Sequence, residues 1–141
     1  PGMNARLNVI LRERRGLVYS VESSMVCYGD TGLWSVYFGC DPHDVNRCVR
    51  LVKGEFKRLM EKPLPEKTLA AAKRQIKGQL AVACDNNENF AIDFGKSFLH
   101  FGDEKDIEKL YQKIDAVTAE QIQQVAKEIF DKDSLATLVI K

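Results

Sequence analysis

The sequence predicts an α+β fold, an antiparallel sheet with helices packed on one face, and three observations point to it. Two stretches rich in Val, Tyr, Trp and Phe, residues 17–28 and 33–40, flank the turn sequence YGDTGL. Apolar residues then recur at three-and-four spacing through most of the chain as far as Phe130. A short apolar run, SLATLVIK, closes the sequence. Strand-type and helix-type patterns in this order argue for a layer of helices on an antiparallel sheet.

Element by element, Leu7, Ile10 and Leu11 give the spacing of a short helix over residues 4–14. Gly16 would end it as a left-handed cap. The two strand-like stretches then read as a β-hairpin with a Gly/Asp turn. CDPHDV opens a helix, with Asp41 as N-cap and Pro42 in the first turn. Its apolar stripe is Val45, Cys48, Val49, Val52, Phe56, Leu59 and Met60. EKPLPEK breaks that helix, and a second begins at Pro65 with Leu69, Ala72, Ile76, Leu80 and Ala83 on its buried side.

CDNNEN suggests a bend, after which Phe90, Phe94, Phe98 and Phe101 recur at helical spacing and read as core. Residues 103–111 can hold one more short helix. Thr118 and Gln121 stand in capping-box positions before a helix whose inner face is Ile122, Val125, Ile129 and Phe130. Residues 135–140 read as a final strand. Three strands are few beside so much apolar helical surface, since sheets more often hold about four to six. A first strand upstream of Pro1 is therefore expected. Residues 1–141 are read as one domain, with no internal repeat and no low-complexity linker.

Composition excludes several function classes. The net charge is +1, which gives no basic field for nucleic acid despite Arg6, Arg12, Arg14 and Arg15. No apolar run approaches the roughly 20 residues of a membrane span. The chain shows no signal-peptide pattern. Cys27, Cys40, Cys48 and Cys84 form no C-x-x-C pair and fall on apolar or strand positions. They read as small buried hydrophobes in a reducing compartment, which favours a cytoplasmic location.

Most motif-based chemistries fail. Asp30-Thr31-Gly32 spells the D-T-G of aspartic proteases, but those enzymes are almost entirely β, and a hairpin turn accounts for the residues more simply. His43 and His100 stand in no metal-ligand spacing, so this chain has no zinc site of its own. Nucleotide-binding glycine motifs and the G-x-S-x-G elbow are absent. What remains is LRERRGLVYSV, residues 11–21. Arg12 offers a forked donor at a helix end, and Tyr19 offers a phenol early on the following strand. A tight turn at Gly16 would bring both to one side. From composition alone, a solvated helix end with cations near the negative end of the dipole, plus a packed strand Tyr, is the favoured reading.

Four stretches taken in order, GMNARL…LRERRGLVYSVES, DTGLWSVYFGCDP, PEKTLAAAKRQIKGQL and IDAVTAEQIQQVAKEIF, resemble the pitrilysin/insulinase family of zinc peptidases, and specifically the second half of one of its repeated domains. The resemblance spans essentially the whole chain. It implies two related halves enclosing a chamber: one holds zinc through H-x-x-E-H, the other donates an Arg and a Tyr spaced R-x-x-x-x-x-x-Y. Arg12 and Tyr19 match that spacing. By the resemblance, Tyr19 steadies the scissile carbonyl as it becomes an oxyanion, and Arg12 helps hold the substrate backbone, leaving Arg14 and Arg15 as bystanders or at most lining of the chamber. A zinc-bound water would attack, with a Glu of the zinc motif as general base.

The chain departs from the pattern in lacking H-x-x-E-H and the strand expected before the first helix, and in carrying Ala5 where serine is frequent. Alone it is expected to be inactive. Its expected partners are a peptide substrate and a zinc-bearing N-terminal domain or subunit, within a dimer or an internal repeat. The alternative is a non-catalytic family member, an inactive partner or a structural subunit.

Overall fold

The computed structural model describes residues 3–84, 87–102 and 106–140, and its sheet is the hairpin the sequence predicts. Strand β1 (Val18–Cys27) pairs antiparallel with β2 (Gly32–Cys40), from Cys27 opposite Gly32 to Val18 opposite Cys40. The turn closes through Tyr28 N–H donating to the Thr31 carbonyl at 2.8 Å, so Asp30 is a turn residue. The register slips between Val18 and Ser20, a bulge that falls on Tyr19.

The described residues separate into two compact units, residues 1–64 with 119–141, and residues 65–118. In the first unit, α1 (Met3–Leu7) runs into a π-helical turn, Asn8–Glu13. A 3-10 turn, Pro42–Asp44, leads from β2 into α2 (Val45–Glu61), and α6 (Ala119–Ile129) packs beside α2. The period-two alternation of β2 turns Trp34, Val36, Phe38 and Cys40 toward the helices, where they pack against buried Leu7, Leu11, Cys48, Val52, Phe56, Ala126 and Phe130. Tyr37 and Leu33 lie on the other face, largely exposed. Helices therefore cover one face of the sheet.

Trp34 meets Phe56 and Phe130 edge-on, with ring centroids 5.3 and 4.9 Å away, while Phe56 and Phe130 stack at 4.4 Å. Such pairs add roughly 0.5–1.5 kcal/mol each beyond the area they bury. Glu55, on the same helix face, is buried but paired: Arg58 Nη1 lies 2.5 Å from one carboxylate oxygen and Arg6 Nη1 lies 3.8 Å from the other. A buried carboxylate without such partners would be costly, and the pairing makes the burial tolerable.

The second unit holds α3 (Glu66–Cys84), α4 (Asn87–Phe101) and α5 (Ile107–Ala116). Lys77 Nζ bonds both Asp115 carboxylate oxygens at 2.8 and 2.9 Å, and Lys73 Nζ donates to the Asp115 carbonyl at 2.7 Å. These contacts tie α3 to the end of α5. Asp106 caps α5, accepting from the Glu108 and Lys109 amides.

Four expectations need correction. Residues 135–140 do not join the sheet; among the described residues only β1 and β2 pair, and Leu138 and Ile140 are exposed. Of the residues expected on the inner face of α6, Phe130 just beyond its end is buried and Ile122 half-buried, whereas Val125 and Ile129 are half exposed and Ala126 takes the buried position between them. Phe94 and Phe98 stack at 6.4 Å, yet Phe98 is 53% exposed, so this pair is not closed core. The side chains of Phe90 and Phe101 lie outside the described residues, as does the start expected for a helix at 103. On α3, Ile76 is 47% exposed and no residue is fully buried, so its stripe is a partly covered face.

Candidate functional site

The stretch from Arg12 to Tyr19 is built around a helix end of unusual width. Arg14 N–H donates to the Val9 carbonyl at 2.9 Å, a bond spanning five residues rather than four, and the π-turn puts Arg12 in its last stretch. Single π turns are rare and cost helical regularity. Here the wider turn accompanies full burial of both Leu7 and Leu11, leaving Arg12 to Arg15 exposed. Gly16 then adopts φ +58, the left-handed cap expected from sequence. Two nested bonds close around it, Gly16 N–H to the Arg12 carbonyl and Leu17 N–H to the Leu11 carbonyl, both 2.8 Å. The chain reverses there, and Leu17 and Val18, which lead into β1, are both buried.

Tyr19 follows at the bulge, 69% exposed. Its hydroxyl donates to Asp41 Oδ1 at 2.6 Å, a short charge-assisted bond. That bond, and next the negative charge of Asp41 itself, raise the Tyr19 pKa above its ordinary value. The phenol thus stays protonated and able to donate at neutral pH. Asp41 has the extended backbone of an N-cap residue (φ −64, ψ 146), yet its side chain caps nothing. The expected capping role is corrected: the carboxylate is committed across the hairpin's open end instead.

The arginines divide. Arg15 Nη1 folds back onto the Ile10 carbonyl at 3.0 Å. Neither Arg12 nor Arg14 makes a side-chain hydrogen bond or ion pair among the described residues. No bond joins Arg12 to Tyr19 directly; both are exposed, and they flank the chain reversal at Gly16.

No cluster of three or more His, Cys, Asp or Glu side chains converges among the described residues. His43 is exposed and lies 3.3 Å from its neighbour Asp44. The described residues offer no ligand set that fits zinc. All four cysteines are free, and buried Cys48 has its thiol pushed up to about 11, chiefly by loss of water and secondarily by nearby Cys40. No helix among the described residues is long and apolar enough to cross a membrane. One hollow of about 450 Å³ lies between α2, α6 and the 3-10 turn Lys132–Ser134, floored by Phe56, Met60, Phe130 and Leu135. Sequence reasoning missed Asp41 as a partner of Tyr19 and Glu55 as a buried charge, since the Asp41–Tyr19 and Glu55–Arg6 contacts both join residues far apart in the chain.

Comparison with known proteins gives a consistent picture. The family model described as the peptidase M16 inactive domain matches residues 2–76. An uncharacterized zinc protease of Streptomyces coelicolor is 29% identical over 93% of this chain and 28% of its own length. Mitochondrial-processing peptidase subunit beta of Bos taurus is 33% identical over 87% of this chain and 25% of its own. Among solved structures, a chain of Candida albicans Complex III2 superposes with a TM-score of 0.76 at 26% identity, over 87% of this chain and 29% of that one. The periplasmic protease PqqL of Escherichia coli superposes with a TM-score of 0.70 at 20% identity and shares the fold. The chain spans under a third of the length of each of these.

Proposed function

The chain belongs to the peptidase M16 family, the family the pitrilysin/insulinase resemblance pointed to, and from that premise we propose that it is the C-terminal, zinc-free part of a peptidase that hydrolyses peptides in an enclosed chamber. Relatives named zinc proteases support a metal in the whole enzyme; in this reading it is held by an N-terminal domain or a partner subunit. Arg12 and Tyr19 are this chain's contribution. The observation that carries the reading is the presence, on either side of one chain reversal, of an exposed guanidinium without a partner among the described residues and an exposed phenol whose hydroxyl is held by Asp41 at 2.6 Å.

Their chemistry differs. A guanidinium binds a substrate backbone carbonyl before and during reaction, so it contributes to ground-state affinity. A phenol hydroxyl aimed at an oxygen that gains charge acts mainly in the transition state. Arg12→Ala should therefore raise KM as well as lower kcat. The test is cleavage of a quenched fluorescent peptide by this chain alone and by the chain joined to its zinc-bearing half: activity only in the second supports the reading, and activity in the first contradicts it.

A second reading has its own support. A structural relative sits in Complex III2 and another relative is named as one subunit of a peptidase, so chains of this kind occur in multi-subunit assemblies. A non-catalytic subunit would give stable complex formation with no change in hydrolysis on replacing Arg12 or Tyr19.

A further inference from the structure

The phenol of Tyr19 has one proton, and a carboxylate holds it. Asp41 forms a 2.6 Å bond to that hydroxyl while leaving the helix start beside it uncapped. N-cap Asp residues ordinarily accept from the first free amides of the helix, which stabilises it. Asp41 has the cap backbone, and its own carbonyl accepts Asp44 N–H at 2.9 Å, yet its side chain turns to Tyr19. The bulge at Tyr19 takes that residue out of the regular register at the level of Cys40, which precedes Asp41. Sheet irregularity and unmade cap thus meet at one hydrogen bond.

We propose that Asp41 is a positioning residue for Tyr19: it withholds the hydroxyl proton from neutral acceptors and releases it only to an oxygen carrying comparable negative charge. This deepens the peptidase reading and rests on it. A substrate carbonyl is neutral in the ground state and cannot displace a carboxylate from a charge-assisted bond, which is about twice as strong as a neutral one. The oxyanion of the tetrahedral species can. The hydroxyl then rotates from Asp41 to the substrate oxygen, and no covalent bond changes in the exchange. Tyr19 is by this device kept out of substrate binding and reserved for the transition state, where binding accelerates the reaction.

The raised Tyr19 pKa agrees with this arrangement, since the same carboxylate that orients the hydroxyl stabilises its protonated form. Asp41 and the Cys40 thiol are the titratable groups that bear on the phenol.

The test is a cycle of wild type, Tyr19→Phe, Asp41→Ser and the double variant in the zinc-containing parent protein. Serine can cap the helix start but is too short to reach the phenol, so folding is preserved or improved; Asp41→Asn, which caps and still accepts a weaker bond, is the conservative comparison. In wild type, Tyr19→Phe should lower kcat and leave KM unchanged. Asp41→Ser should lower KM about fivefold, the factor expected from a hydrogen bond of ordinary net strength to the ground-state carbonyl. Asp41→Asn should fall between. In the double variant KM should return to the wild-type value. Independently of activity, the Tyr19 phenol, followed as the ultraviolet difference from Tyr19→Phe during alkaline titration, should ionise at lower pH in Asp41→Ser.

A KM in Asp41→Ser that stays at the wild-type value, or that falls equally in the double variant, would overturn the proposal. So would an unchanged Tyr19 titration. If Tyr19→Phe leaves kcat intact while the titration does shift with Asp41, the peptidase role of Tyr19 fails and the contact stands.

Discussion

Gly16 makes a backbone demand whose cost can be measured. Its φ is +58, and a Cβ built there meets nothing within 4 Å. Any penalty for a side chain is therefore conformational, not steric against neighbours. For Ala in this region the cost is about 1–2 kcal/mol. Asn tolerates the left-handed region better, so Gly16→Asn should cost about half as much. Gly54 is the control: it sits inside α2 with nothing near its absent Cβ, and Gly54→Ala should stabilise by about 0.5–1 kcal/mol.

The assay follows from Trp34, the chain's single tryptophan, whose ring sits against Phe56 and Phe130 in the unit that contains Gly16. Its fluorescence during urea unfolding reports that unit. With a slope of about 1–2 kcal/mol per molar urea, Gly16→Ala should lower the midpoint by about 1 M. Gly54→Ala should raise it by about half a molar on the same slope. A Gly16→Ala midpoint equal to wild type, or a Gly16→Asn midpoint below that of Gly16→Ala, would refute the assignment of the reversal to a left-handed cap.

Other consequences are equally measurable. Leu11, wholly buried, should cost about 2–5 kcal/mol as Leu11→Ala on the Trp34 readout, since a large-to-small change leaves a cavity. With its thiol pushed up to about 11 by burial, Cys48 carries far less thiolate than an exposed cysteine near neutral pH. Exposed Cys27 should alkylate first with iodoacetamide, and Cys48 should react only in denaturant, as read by mass spectrometry. The Tyr19 pKa is raised in the folded chain, so the stabilisation from its bond to Asp41 is complete below pH about 10 and lost as pH climbs through the raised value. Tyr19→Phe should accordingly show a shallower alkaline fall in urea midpoint than wild type.

What the sequence discloses is what depends on local contacts. The hairpin, the cap at Gly16 and the apolar stripe of α2 are written in adjacent residues, and Cys48, Val52 and Phe56 are buried as their spacing requires. The π-turn is not legible, because over six residues its period differs too little from that of an α-helix. Residues 135–140 have strand composition but no ladder among the described residues; a strand is made by its partner, which composition does not supply. Asp41 follows the capping rule in its backbone and breaks it in its side chain, because a phenol 22 residues away offers a better partner. The candidate site divides in the same way: Arg12 and Tyr19 are proposed from the family spacing, while the contact of Asp41 with Tyr19 needs the fold. Glu55 is hidden for a similar reason, since the nearer of its partners is local but Arg6 is not.

The most direct test of the account is the steady-state cleavage of a quenched fluorescent peptide by the zinc-containing parent and its Tyr19→Phe, Arg14→Ala and Arg15→Ala variants, with folding checked by circular dichroism. Removing the Tyr19 hydroxyl should lower kcat by about 100-fold or somewhat more with KM little changed, as loss of a donor to an oxyanion does. Arg14→Ala and Arg15→Ala should stay within a few-fold of the parent, because Arg15 is spent on the Ile10 carbonyl and the family spacing to Tyr19 is met by Arg12, not Arg14. Full activity in Tyr19→Phe beside a crippled Arg14→Ala or Arg15→Ala would contradict the account at its centre.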